Sequence, residues 1–173
     1  AFPLTVAGRW QAEHATRSCA PSRGKRVRQW SNGVMRQVAS LGPWIVSDEV
    51  YHGLVYEGRE RSILEFTDRA FVLNGFSKAY AMTGYRLGYL IAPKEFVPTL
   101  KILLQNFYIS ASSFVQRAGI AALRQGGGDQ EKMRRIFAER RLVMLEGVRS
   151  LGMEVKVPPT GAFYIFANAR KFT

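Results

Sequence analysis

Hydrophobic positions along this chain fall into short runs and helical stripes that set in abruptly at Trp44. WIVSD (44–48) is an apolar run ending in polar residues, the pattern of a buried parallel strand. AFVLN (70–74) repeats that design, and RLGYLIA (86–92) is a third candidate strand. Phe96, Leu100, Leu103, Leu104 and Phe107 then share one helical face, with Pro98 acceptable in the first turn. Ser113 and Gln116 are spaced as a capping box that opens a helix through Leu123. Gly126, Gly127 and Gly128 break the pattern. Asp129 is placed to cap a long helix whose apolar face is Met133, Ile136, Phe137, Met144, Val148 and Leu151. Glu131 and Arg135 are ordered for an i,i+4 pair, and Gly152 stands where that helix should stop. MEVKV (153–157) alternates, and GAFYIFA (161–167) reads as a further strand. Strands interleaved with helices predict an α/β architecture.

Residues 1–43 have a different texture, rich in Arg, Ser, Gly and Gln, with no sustained helical or strand period. SRGKRVRQWSNG (22–33) has almost nothing to bury and reads as a solvated basic loop or a disordered arm. The composition of residues 1–35 fits either genuine divergence or a GC-rich coding region read out of frame. Ala1 opens the chain and Lys171, Phe172 and Thr173 close it without a helix stop, so an internal fragment is expected.

Charge changes the picture less than its total implies. The net charge of +12 invites a nucleic-acid reading. Yet residues 1–43 carry seven Lys/Arg against one Glu, while residues 44–173 spread 18 basic and 12 acidic groups over three times the length. The excess belongs to one segment, and nucleic-acid binding is not expected. A single cysteine, Cys19, rules out an internal disulfide framework, and the two histidines lack metal-ligand spacing. No secretory leader or run of 18 apolar residues is present, so neither a membrane span nor export is expected. A cytoplasmic setting is the default.

In a largely parallel sheet, binding groups gather at the carboxyl ends of strands. Asp48 closes the first candidate strand and Lys78 follows the second. Taken singly, each reads as a solvated surface charge. Their surroundings carry more. GFSKAYAMTGYRLG (75–88) sets a lysine after small residues, an arginine eight positions on and a glycine two beyond it. This resembles the attachment signature for pyridoxal 5′-phosphate (PLP) in the class I/II aminotransferase family. SDEVYHGLVY (47–56) resembles that family's cofactor-ring segment, and PPTGAFYIFA (158–167) resembles the opening strand of its small domain. Together the resemblance covers roughly residues 36–173.

The resemblance implies a PLP enzyme of the aspartate-aminotransferase fold type I, moving an amino group between an amino acid and a 2-oxo acid. Lys78 would hold the cofactor aldehyde as a Schiff base and then act as the proton-moving amine, since an ammonium is neither nucleophile nor base. Asp48 would sit against the ring nitrogen and keep it protonated, making the ring an electron sink. Tyr51 would donate to the ring oxygen, although it also reads as a half-buried core aromatic. Arg86 would grip the phosphate with its planar fork, and Ser77 would add a hydroxyl, or merely fit a tight turn. Many relatives place a serine three positions before the lysine, where this chain has Gly75. Gly84 and Gly88 read as backbone devices rather than contacts.

Three regions follow. Residues 1–43 form a divergent or frame-shifted segment, 44–127 part of a large, mainly parallel-sheet PLP domain, and 128–173 an interdomain helix with the start of a small domain. The family's Asn-Pro-Thr-Gly turn is missing from residues 1–43, its ring-stacking aromatic has no counterpart, and its substrate-carboxylate arginine would lie beyond Thr173. Arg170 follows GAFYIFA too closely for that role. The chain alone is therefore expected to be inactive, and the intact enzyme a homodimer. Two alternatives share part of this evidence: a lyase or synthase on the same scaffold, and a non-catalytic basic binding module.

Overall fold

The computed structural model describes residues 32–172. The basic arm up to residue 31 and the question of its reading frame lie outside the described residues. Four helices, here α1 (Asn32–Ser40), α2 (Val97–Phe107), α3 (Ser113–Gln125) and α4 (Gly127–Ser150), accompany three strands, β1 (Ile45–Asp48), β2 (Ala70–Gly75) and β3 (Gly88–Ile91). The strands form one sheet in the order β1-β2-β3. β1 and β2 run parallel with Asp48 opposite Leu73, while β3 returns antiparallel with Gly88 opposite Gly75. The expected mixed α/β architecture is present.

All three strand expectations hold in position, but the burial differs from that of a two-sided parallel sheet. Ala70 and Val72 on one face of β2 are about 1% exposed and join Ile63 in a core closed by Met35, Ile45, Leu64 and Ile91. Val46 and Leu73, on the opposite face, are 66% and 43% exposed. The strands alternate because the described residues bury one face and cover the other only in part, where Phe71 meets Trp44 and Phe96. α1, for which residues 1–43 showed no period, supplies Met35 to that core. At nine residues α1 is short, and the sequence pattern missed it.

A second core joins Phe76 and Leu87, flanking the Lys78 turn, to Val115 of α3, with Tyr80, Met82, Tyr89, Ala111 and Ala122 packed around it. The α3 cap is not the expected box. Ser112 is the N-cap, without a side-chain bond, and Gln116 turns its amide to the carbonyl of Ala111 at 2.7 Å. Of the three glycines only Gly126 separates the helices, as the C-cap of α3. Gly126 caps α4, Gly127 and Gly128 lie within it, and Asp129 occupies its first turn, where its charge suits the helix N-terminus. The buried stripe of α4 is centred on Leu145 at 6% exposure, whereas Met144 and Leu151 are 56% and 62% exposed. The stripe is offset because Arg141 lies on the inward side, paired with Glu57 at 2.8 Å.

Glu131 accepts from both Arg134 and Arg135, at 2.7 and 2.8 Å. The hydrogen bonds from Arg134, then Arg135, pull its carboxyl down to about 2. At the far end Gly152 adopts φ +81, its N–H reaching Arg149 O while Met153 N–H reaches Val148 O. This is a Schellman stop, and only glycine enters it without strain. The two strands expected after it do not form. Residues 153–157 and 161–167 make isolated bridges, Glu154 to Asn168 and Gly161 to Val55, rather than a ladder. Alternation alone cannot make a strand without a paired neighbour, and Val157 and Phe166 are 78% and 95% exposed.

Candidate active site

β1 and β2 deliver their carboxyl ends side by side. Asp48 is the last residue of β1 and its Oδ1 accepts the N–H of Val50 at 3.1 Å, opening a turn through Tyr51. The ladder continues one step past β1, with Glu49 N–H donating to Leu73 O at 2.8 Å. Lys78 stands three residues past the end of β2, in a turn closed by Met82 N–H on Phe76 O and Ala81 N–H on Lys78 O. Asp48 and Lys78 therefore occupy the same end of adjacent parallel strands.

The facing wall comes from a segment far along the chain. Ala162 N–H donates to Leu54 O at 2.8 Å, and Tyr56 N–H to Thr160 O at 2.8 Å. The Tyr56 hydroxyl donates to Ala162 O. Arg141 of α4 pins this segment by donating to Pro159 O at 2.6 Å while paired with Glu57. Phe163 is thereby set between Phe137 of α4 and Tyr51, at centroid separations of 5.3 Å each. Lys78 Nζ lies 5.5 Å from the Phe163 ring centre, and the Tyr51 and Tyr164 hydroxyls are hydrogen-bonded at 2.7 Å. Burial first, then the bond to Tyr164 and the charges of Tyr164 and Asp48, push the Tyr51 phenol up to about 12. Asp48, Tyr51 and Lys78 thus share one neighbourhood with Phe163 and Tyr164, two residues that the sequence reading treated only as strand.

Ser77 and Arg86 are linked to the same turn through Thr83. The Thr83 hydroxyl donates to Ser77 O at 2.9 Å, and Arg86 Nη1 donates to Thr83 O at 3.1 Å. Arg86 itself is exposed with φ 54, and Ala81 has φ 53. Ala162, beside Tyr51, also has a positive φ of 55. Non-glycine residues in this region are strained and collect where a fold over-determines its backbone for function. The Gly75 position has a steric reason: a Cβ there would meet Leu87 O at 3.2 Å and Gly88 Cα at 3.4 Å. The same crossing explains Gly88, whose Cβ would meet Asn74 O at 3.1 Å, while nothing crowds Gly84.

Sequence reasoning also missed Glu49. It is 7% exposed, and its Oε1 accepts from Ser47 Oγ, Ser62 Oγ and the Ile63 N–H at 3.0, 3.1 and 2.9 Å. His52 Nδ1 lies 3.3 Å from Oε2. A glutamate beside an aspartate carries no sequence mark of burial; only the loop at 62–63 closing over it makes it a hub. Glu49→Ala leaves three donors without an acceptor, and each buried orphan costs roughly 1–3 kcal/mol. Urea unfolding should show Glu49→Ala losing about 3 kcal/mol and Glu49→Gln, which keeps one acceptor oxygen, at most half of that. Equal losses in both variants would mean that the charge, not the acceptor, holds the turn.

Comparison with known proteins places the chain in a family. The family model for aminotransferase class I and II matches residues 32–171. A (5-formylfuran-3-yl)methyl phosphate transaminase of Methanocaldococcus jannaschii is 42% identical over 130 residues, 73% of this chain and 35% of that protein. An aspartate aminotransferase of Thermotoga maritima is 38% identical over 146 residues, 83% of this chain and 38% of that protein. Aspartate aminotransferase of Thermus thermophilus, solved with maleate, superposes with a TM-score of 0.77 at 32% identity, covering 83% of this chain and 39% of that one. The chain spans little more than a third of these relatives' length. Among the described residues no helix is long and apolar enough to cross a membrane. With the family model matched over residues 32–171 and the family's fold present, this chain belongs to the class I and II aminotransferases.

Proposed function

We propose that this chain is the cofactor-binding part of a PLP-dependent aminotransferase that moves an amino group between an amino acid and a 2-oxo acid. The observation that carries the reading is the placement of Asp48 and Lys78 at one end of two parallel strands, with Tyr51 and Lys78 both against the Phe163 ring. The donor set fits the cofactor: an amine for its aldehyde, a carboxylate for its ring nitrogen, a phenol for its ring oxygen, and a guanidinium with a hydroxyl for its phosphate. Lys78, Asp48, Tyr51, Arg86 and Ser77 would take these parts in that order. Gly75 offers the phosphate no hydroxyl, so that end rests on Ser77 and Arg86.

When bound, PLP supplies an electron sink for the charge that develops at the substrate α-carbon. Lys78 Nζ, once free as the amine, takes the proton from that carbon. Asp48 holds a proton on the ring nitrogen by opposing its charge. Phe163, with its ring centre 5.5 Å from the Lys78 amine, would shield one side of it. Residues 128–173 would serve as interdomain helix and start of a small domain, and the apolar residues that α2 leaves exposed, Leu103, Leu104 and Phe107, suit the homodimer contact expected of the intact enzyme.

The test is amino transfer from a panel of amino acids to 2-oxo acids with added PLP. It is run on the 173-residue chain and on residues 32–171 grafted into the Methanocaldococcus jannaschii transaminase. The graft is expected to turn over. The chain alone is not, because small misplacements of a multi-group site cost large factors in rate. A graft that binds PLP but only eliminates or condenses its substrates would show the reaction assignment to be wrong.

A further inference from the structure

We propose, resting on the PLP reading above, that Tyr164 is a positioning residue that fixes the Tyr51 hydroxyl as a donor toward the cofactor's ring oxygen. A phenol carries one proton and can also accept. When Tyr164 donates across the 2.7 Å contact, an acceptor site on Tyr51 is satisfied and the Tyr51 proton is left for another partner. The two rings also meet edge to face, with centroids 5.6 Å apart and planes at 76°, so the contact is orientational as well as polar.

Tyr164 is held for this task from behind. Its neighbour Phe163 stacks at 5.2 Å on it, 5.3 Å from Phe137 and 5.3 Å from Tyr51. The backbone is tied by Ala162 N–H on Leu54 O and by the Gly161–Val55 bridge, two or three residues away. Tyr164 is 62% exposed, so its contribution to the fold is slight, and a merely structural role would leave little trace when its hydroxyl is removed. Without the cofactor the same contact can run the other way: Tyr51 donating to Tyr164 holds the Tyr51 proton and, after burial, helps to raise its phenol.

Tyr164→Phe removes the hydroxyl and keeps the ring contacts. In the ligand-free 173-residue chain, carbon-13 NMR of labelled tyrosine should show Tyr51 ionising at lower pH in Tyr164→Phe than in the wild type. Tyr51→Phe identifies the resonance. Equilibrium dialysis with PLP should show retention weakened roughly three- to tenfold in Tyr164→Phe, the range for one lost hydrogen bond. In a Tyr51→Phe background the same change should have no effect, because Tyr164 acts through Tyr51. An unmoved Tyr51 titration, or an equal loss in both backgrounds, overturns the proposal while leaving the cofactor reading standing. A wild-type chain that retains no PLP overturns the cofactor reading, and the proposal's destination with it.

Discussion

Lys78→Ala removes the lysine-linked visible absorption of the chain in PLP and leaves its fold intact. Addition of an amine to the cofactor aldehyde needs a free nitrogen lone pair, held where the rest of the cofactor is also held. The sequence has six other lysines, but among the described residues Lys78 alone follows the parallel strand end beside Asp48 and stands over Phe163. Adducts on exposed lysines lack the ring and phosphate partners and exchange freely. Borohydride trapping followed by peptide mass analysis should therefore place most of the label on Lys78, and Lys94→Ala should be indistinguishable from wild type. Alanine keeps the backbone carbonyl that receives the Ala81 N–H at 3.4 Å, so circular dichroism should not change. A variant that keeps the full band would assign the linkage to another residue.

Asp48→Asn, measured in the grafted enzyme, separates binding from chemistry. The substitution keeps an oxygen for the Val50 N–H, at 3.1 Å in the present structure, and Asp48 is exposed, so stability should barely move. What changes is charge. An opposite charge in contact shifts a partner's proton affinity by about 1–3 pKa units, or roughly ten- to thousandfold in the population of the protonated ring. Turnover should fall by about that factor while PLP retention changes far less, since the other cofactor contacts remain. Turnover within twofold of wild type would remove Asp48 from the electron-sink role.

Much of this site was legible in the sequence because its determinants are local. Asp48 and Tyr51 share one turn, and Ser77, Lys78 and Arg86 share one loop, so their spacing survives without knowledge of packing. What was not legible depends on distant contacts. Phe163 and Tyr164 lie over a hundred residues from Tyr51, and the pattern GAFYIFA read as a strand because apolar runs say nothing of what will pair with them. Glu49 looked like one more surface carboxylate until the loop at Ser62 and Ile63 closed on it. The capping box at Ser113 failed for a similar reason: Gln116 had a better partner in Ala111.

By itself the sequence determined the order of elements from β1 to α4, the strand-end places of Asp48 and Lys78, and the stop at Gly152. These follow from side-chain period, turn chemistry and the conformational freedom of glycine, all set within a few residues. Only the tertiary structure decided which face of the sheet is covered, that Arg141 turns inward to Glu57, and that Tyr164 meets Tyr51. Those depend on contacts between segments far apart in the chain, where many pairings satisfy the same local pattern and packing selects one.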